Sequence, residues 1–277
     1  MEQFEALDVD EAFTMSAQRI LKEEVSRTSR GLETKAIGPV MIKIQNPRAR
    51  VLMNAVRKAK RHFMAGECIW ILTGSNDLEQ IAYYNPKMRQ YSDDGKTLAG
   101  AYGPRLIEQF SNVMLTLEDD AFSRQAVINF WQPKLLRSGT KDTPCTISWQ
   151  LRLNHGKMDM IAYMRSNDLW LGFPYDVFTF SVFQEIMSRA VGVSLGDYYH
   201  VVGDLHLYQP HWDLAKQCRL YSRRSEEMPP IKDTSPLKPL YELDRYIRLG
   251  GVTTEHDDPF IDWFRQAMLS KGEVSCK

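Results

Sequence analysis

TPCTISWQLRLNHGKMDMIAYMRSNDLWLGFPYD, residues 143–176, is the stretch on which the fold turns. Within it, Thr146 to Leu153 and Lys157 to Met164 alternate around Asn154-His155-Gly156. Period-two alternation on both sides of a short polar turn predicts an antiparallel hairpin. An apolar helix is expected over 176–192, with Gly192 placed to end it in the left-handed conformation. A strand-like run, Tyr198 to Tyr208, follows.

Outward from this stretch, Gln125 to Trp131 reads as another strand, and 10–27 and about 47–64 carry apolar positions at helical spacing. The second of these also carries Arg48, Arg50, Arg57, Lys58, Lys60 and Arg61, a pattern expected of a solvated helix face. Between Gly74 and Gly103 the chain reads as loops around short helices. A last helix fits 259–269, after a proline-rich passage (Pro229, Pro230, Pro236, Pro239). Strands and helices both occur without regular alternation, so an α+β fold is expected rather than a doubly wound sheet. The composition changes after about Cys218, and the chain is expected to divide into a main domain at 1–224 and a divergent segment at 225–277, packed on it or extending it.

The 277 residues suffice for a substantial core, and 43 % hydrophobic with 25 % charged residues is ordinary for a soluble globular protein. Thirty-five basic residues balance 35 acidic ones, which argues against coating nucleic acid or an anionic membrane by bulk charge. The acidic N-terminus lacks signal-peptide design, and the longest apolar runs are too short to span a bilayer. The four cysteines show neither CxxC spacing nor disulfide density, so a reducing, cytoplasmic setting is expected.

Cys145 sits in Thr143-Pro144-Cys145-Thr146 at the head of a strand. A lone cysteine there is ordinarily a small core residue. Downstream come Arg165-Ser166-Asn167-Asp168, then Leu171-Gly172-Phe173-Pro174-Tyr175-Asp176, then Gly203-Asp204-Leu205-His206-Leu207-Tyr208. In this order and spacing, these resemble the thymidylate synthase family: a Pro-Cys nucleophile, Arg-Ser-x-Asp, Leu-Gly-x-Pro-aromatic-Asn and Gly-Asp-x-His-x-Tyr. The match covers 123 to 211, with weaker similarity through Glu67 and Tyr91 to Tyr102 and back to about residue 30.

The resemblance implies a large mixed sheet packed against helices, and a homodimer formed through the sheets. It implies 5,10-methylenetetrahydrofolate as cosubstrate, a pyrimidine nucleoside monophosphate as substrate, and no metal. Cys145 is then the nucleophile at C6 of the ring. A free thiol titrates near ~8.5, so an adjacent cation must favour the thiolate, and Arg165 is placed to do this. Arg165 and Ser166 are implied phosphate ligands, as are Arg30 and, from the other subunit, Arg124. The arginine that follows Arg124 in the family is Gln125 here. His206 and Tyr208 alternate on one strand and are implied to grip a sugar hydroxyl. Asp168 matches the aspartate that pairs with the pterin ring, and Glu67 and Tyr102 the groups that assist proton transfers.

Asp176 stands where thymidylate synthases carry asparagine. Cytosine offers an N4 amino donor and a bare N3 acceptor, and a carboxyl group can accept from N4 and share a proton with N3. An ionised aspartate facing uracil O4 has no hydrogen to give. The sequence on this point resembles the deoxycytidylate hydroxymethylase branch, and Asp176 is expected to read the base. Its plainer reading is an N-cap for the 176–192 helix.

Methylation needs hydride at the C5 methylene, whereas hydroxymethylation needs water, so the product depends on how dry the pocket is. Three departures from the family favour water. Asp142 replaces an apolar residue two before the Pro-Cys pair, Met88, on the cofactor side of the site, stands in the place of a tryptophan that covers the intermediate, and Ser270 to Lys277 do not resemble the family's closing segment over bound folate. The expected product is 5-hydroxymethyl-dCMP, or its CMP counterpart. The alternatives are a thymidylate synthase or deoxyuridylate hydroxymethylase, a thiol hydrolase, and a nucleotide-binding protein without turnover.

Overall fold

The computed structural model describes residues 1–25, 27–29, 31–133, 139–232 and 235–271. In chain order the elements are β1 (Glu2–Ala6), α1 (Val9–Leu21), β2 (Arg27–Ser29), β3 (Leu32–Ile37) and β4 (Val40–Ile44). Then come α2 (Arg61–Leu72), α3 (Leu78–Tyr84), α4 (Tyr102–Asp119), β5 (Val127–Asn129), β6 (Thr146–Asn154), β7 (Lys157–Met164) and β8 (Asn167–Asp168). The chain continues through α5 (Phe173–Val191), β9 (Ser194–Val202), β10 (Leu205–Tyr208), α6 (Trp212–Cys218), α7 (Leu237–Arg248) and α8 (Pro259–Leu269).

The hairpin forms where the alternation puts it. β6 and β7 pair antiparallel and close at His155-Gly156, both with positive φ (48° and 74°), the conformation a two-residue turn demands. They lie inside a six-stranded mixed sheet of order β1-β4-β9-β7-β6-β5. A second, four-stranded sheet has the order β2-β3-β10-β8. The expected strand 198–208 is therefore two strands in two sheets, broken at Gly203-Asp204. Gly203 is needed there, since a Cβ would meet the Arg165 carbonyl oxygen at 2.9 Å.

The inward residues of the large sheet (Trp149, Leu151, Met158, Met160, Ala162, Tyr198, His200, Val202) pack beneath α5. Almost every α5 residue is buried, which explains its nearly unbroken apolar sequence. Gly192 caps it in the left-handed conformation (φ 76°) as expected, but the helix starts at Phe173, three residues before the expected start.

Two expected helices change. The first spans Val9–Leu21 and stops well short of residue 27. Over 47–60 there is no helix: Asn54 turns its side-chain oxygen onto the Val56 and Arg57 amides, and Lys58 adopts φ 41°. The arginines assigned to a solvated face take internal partners instead. Arg50, fully buried, pairs with Glu185 of α5, Arg48 donates to the same carboxylate at 3.0 Å, and Arg57 donates to the Trp170 carbonyl at 2.6 Å.

The chain beyond 224 returns to the body. The Ser225 hydroxyl accepts from Asp10 N–H at 2.8 Å, Trp263 Nε1 donates to Glu226 at 2.6 Å, and the Tyr84 hydroxyl donates to buried Asp244 at 2.6 Å. Helix α8 begins at Pro259 as expected and packs on α2. Among the described residues, no helix is long and apolar enough to cross a membrane.

Candidate active site

The β6–β7 ladder brings residues twenty apart into register at its open end. Cys145, just ahead of β6, accepts from Arg165 N–H through its backbone carbonyl at 2.9 Å. The Arg165 side chain then folds back over the same turn. Nε donates to the Pro144 carbonyl at 3.0 Å and Nη2 to that of Thr143 at 3.2 Å, while Nη2 also lies 3.6 Å from Cys145 Sγ. Nη1 donates to Ser166 Oγ at 3.1 Å, and that hydroxyl is 3.8 Å from the sulfur. A fixed cation and a hydroxyl beside one half-buried thiol favour its thiolate. The guanidinium also lies over the Trp131 ring, 5.7 Å from its centroid.

Behind the thiol stands Tyr102, the first residue of α4. Its hydroxyl accepts from Thr146 N–H at 3.3 Å, and its ring packs on Phe130 and Phe180. Burial holds the phenol protonated well beyond its ordinary range. Glu67 of α2 is pushed up to about 8, first by burial and then by the charge of Asp176. Asp176 is itself pushed up to about 7 by burial, against an opposing hydrogen bond from Asn167 and with the charge of Asp168 adding to the rise. Two carboxyl groups whose protons are held into the neutral range thus act on one another, and Tyr102, which feels the charges of both Asp176 and Cys145, links them to the thiol.

Asp176 is not the N-cap expected as its plainer reading. Gly172 holds that position, and Asp176 lies in the first turn, where its N–H donates to the Gly172 carbonyl at 3.0 Å. Its side chain turns to Asn167, whose Nδ2 donates to Oδ2 at 2.7 Å.

β8 and β10 pair in parallel, with His206 opposite Asp168. His206 and Tyr208 share a face with rings in edge contact at 5.2 Å, and His206 Nδ1 meets Asp204 Oδ1 at 3.0 Å. Asp168 Oδ1 accepts from the Trp170 and Leu171 amides at 2.8 and 2.9 Å. Its Oδ2 is buried and has no hydrogen-bond partner among the described residues. Such an oxygen fits the role of accepting N–H groups from a pterin.

The other expected site residues are more scattered. Met88 is half-buried against the core in the short turn Pro86–Tyr91. Asp142 Oδ2 accepts from Gly100 N–H at 2.7 Å, so it holds the loop that leads into Tyr102. Arg124 stands apart, exposed ahead of the edge strand β5. Arg30, and residues 272–277 of the expected C-terminal departure, lie outside the described residues.

Sequence reasoning passed over Tyr198, His200 and Asn167, which run as a buried polar chain to Asp176. The available signal was the polar pair Tyr198 and His200 at inward positions of an alternating strand.

A family model described as Thymidylate synthase matches residues 11–243. The curated relatives include a deoxyuridylate hydroxymethyltransferase of Bacillus phage SP01, 34 % identical over 207 residues, 68 % of this chain and 54 % of that protein. A protein of the same name from Pseudomonas phage M6 is 34 % identical over 213 residues, 73 % of this chain and 60 % of the relative. A third, from Delftia phage PhiW-14, is 31 % identical over 269 residues, 85 % and 73 % of the two chains. The chain thus spans little more than half the length of the first two relatives.

Proposed function

The chain belongs to the thymidylate synthase family, and from that premise we propose that it transfers a one-carbon unit to C5 of a pyrimidine nucleotide, completes the reaction with water, and takes cytosine as the base. The observation that carries the base assignment is Asp176: a carboxyl group raised to about 7, whose charge acts on Glu67 and on the Tyr102 phenol beside Cys145.

The steps follow from the residues. Cys145 Sγ, favoured as thiolate by Arg165, bonds to C6 of the ring, and the displaced electron pair makes C5 nucleophilic. This addition places negative charge on C5 and N3 of cytosine, and Asp176 gives its proton to N3, leaving a neutral enamine whose C5 is the nucleophile. Once C5 has bonded to the one-carbon unit, N3–C4–N4 is an amidinium, held by the Asp176 carboxylate in a two-point pair. When bound, 5,10-methylenetetrahydrofolate supplies the one-carbon unit at the oxidation level of formaldehyde. Asp168 Oδ2 fits its pterin N–H groups. Tyr102 and neutral Glu67 stand ready to donate protons and to orient the water that carries the C5 proton away. Arg165 and Ser166 bind the phosphate, with Arg30 and Arg124 as further ligands, and His206 and Tyr208 hold the sugar. Met88 covers the intermediate less fully than a tryptophan, which together with Asp142 favours water over hydride.

The relatives' names favour a second reading, with uracil as the base. Neutral Asp176 has a hydroxyl to donate to O4 and a carbonyl to accept N3–H. The readings part at the adduct, since uracil forms no amidinium to pair with the carboxylate.

We further propose a homodimer in which the partly exposed sheet face (Ser148, Gln150, Ile161, Tyr163, Tyr199, Val201) meets its copy and Arg124 reaches across. A fully active monomer in sedimentation removes this. The test of the function is product analysis with methylenetetrahydrofolate and dCMP, CMP or dUMP in separate reactions. A hydroxymethylated cytosine nucleotide with tetrahydrofolate as coproduct supports the reading and settles the sugar. A product from dUMP alone replaces cytosine with uracil, and a methyl product with dihydrofolate means the pocket stays dry.

A further inference from the structure

Position 167 is the open place in Arg-Ser-x-Asp, and here an asparagine with almost no exposed surface fills it. On β9, Tyr198 and His200 are inward residues two apart, and both are wholly buried. Three polar side chains in a largely apolar core cost free energy unless each finds a hydrogen bond. They find one another. The Tyr198 hydroxyl meets His200 Nδ1 at 2.8 Å, His200 Nε2 meets Asn167 Oδ1 at 3.0 Å, and Asn167 Nδ2 meets Asp176 Oδ2 at 2.7 Å.

The chain has a direction. Asn167 Oδ1 carries no hydrogen, so His200 Nε2–H must donate to it. Burial holds the imidazole neutral, down to about 3, so Nδ1 is left as an acceptor. The Tyr198 phenol, kept protonated by burial, is then the donor to Nδ1. Every link donates towards Asp176, and the last one lands on Oδ2.

The surroundings are shaped for this path. A Cβ on Gly172 would stand 2.9 Å from Asn167 Nδ2 and 3.1 Å from Asp176 Oδ2, so the glycine leaves room for the last link. Phe173 meets the His200 ring edge-on at 5.2 Å and 89°, which fixes its plane.

We propose that Tyr198, His200 and Asn167 are positioning residues that fix Asp176 Oδ2 as the acceptor and leave Oδ1 to carry the proton, and so set which pyrimidine the site prefers. This rests on the base-reading role given to Asp176 above. With Oδ2 held as an acceptor, the carboxyl presents one donor and one acceptor in a fixed order rather than in either order. Among the described residues, the ionisable groups coupled to it are Glu67 from α2, Tyr102 from α4, Asp168 from β8 and Tyr198 from β9, none of them a cation. The Asn167 bond therefore opposes burial and the neighbouring carboxyl charge in keeping ionisation within reach of neutral pH.

Two variants test the relay: Asn167→Ala, which removes the last donor, and Tyr198→Phe, which deletes one oxygen three bonds from Asp176 and keeps the ring. Thermal melts confirm that each is folded. The first readout is the infrared titration of the Asp176 carboxyl in nucleotide-free protein, assigned by its loss in Asp176→Asn. Both variants should titrate at higher pH than wild type, Tyr198→Phe by less. The second is the ratio of kcat/KM for dCMP over dUMP, which should move towards unity by about tenfold in Asn167→Ala, the loss of one hydrogen-bond specification. The same sign and a smaller size are expected in Tyr198→Phe. An Asp176 titration and a base ratio both unmoved in Tyr198→Phe overturn the relay. Wild-type protein without turnover on either nucleotide would instead overturn the enzymatic reading, and the infrared titration would still decide the relay.

Discussion

Arg165 Nη2 lies 3.6 Å from Cys145 Sγ while the same guanidinium is tied to the carbonyl oxygens of Thr143 and Pro144. The cation is thus held by the turn that carries the thiol, and the two move as a unit. A thiol so placed has its nucleophilic form favoured before any substrate arrives.

Replacing Arg165 by lysine keeps the charge and loses the fork. A single ammonium cannot hold both carbonyls and still face the sulfur. Alkylation of Cys145 by iodoacetamide at pH 7 should slow, and KM for the nucleotide should rise, each by about tenfold. Equal alkylation rates in Arg165→Lys and wild type would remove the argument.

Cys145→Ser should abolish release of tritium from C5 of the nucleotide. A hydroxyl at this position lacks both the acidity and the polarisability of the thiol, and the expected loss is on the order of 10³-fold or more. Nucleotide binding should survive, because the phosphate and sugar groups are untouched. Retained exchange would show that C6 is attacked by something else.

Asp176→Asn should shift preference from cytosine towards uracil nucleotides. The amide cannot donate a proton to N3 and form the carboxylate–amidinium pair, and one or two mismatched polar contacts cost about 1–3 kcal/mol each. Comparing kcat/KM for dCMP and dUMP in the two proteins measures this. An unchanged ratio would end the base-reading assignment.

Glu67 also links stability to pH. Its ordinary value of 4.5 is raised to about 8 in the fold, so the folded protein holds this proton more tightly than the unfolded chain. The contribution is fully present below 4.5 and is lost as pH rises towards and through about 8. Relative to wild type, Glu67→Gln should therefore gain stability steadily from pH 5 to pH 9. Urea melts at pH 5, 7 and 9 check the sign, and a constant difference would mean Glu67 is not held neutral.

Arg50 and Glu185 are both fully buried and face each other across the α5 interface. Glu185→Ala strands a buried guanidinium and should cost about 3–5 kcal/mol, read from denaturant melts. A loss below about 1 kcal/mol would place the pair in contact with water.

Much of this protein could be read from its sequence, and the parts that could not share a cause. The β6–β7 hairpin, the Gly192 cap and the Pro259 helix start depend on neighbours in the chain, so alternation and capping chemistry sufficed. The motif spacing likewise groups Cys145, Arg165, Ser166, Asp168, His206 and Tyr208; the fold sets the first three together at the open end of the β6–β7 ladder and Asp168 opposite His206 on β8 and β10. Residues 47–60 misled, since a run of arginines looks solvated until Glu185 and the Trp170 carbonyl, more than a hundred residues away, are brought to meet it. The break at Gly203-Asp204 needed two sheets to be visible. Sequence alone set which side chains are available for chemistry and where the local turns fall. Only the tertiary structure decided their proton affinities and partners: Glu67 and Asp176 become reluctant acids, and Tyr198, His200 and Asn167 a relay, because burial removes water and leaves each polar group dependent on whatever the fold places beside it.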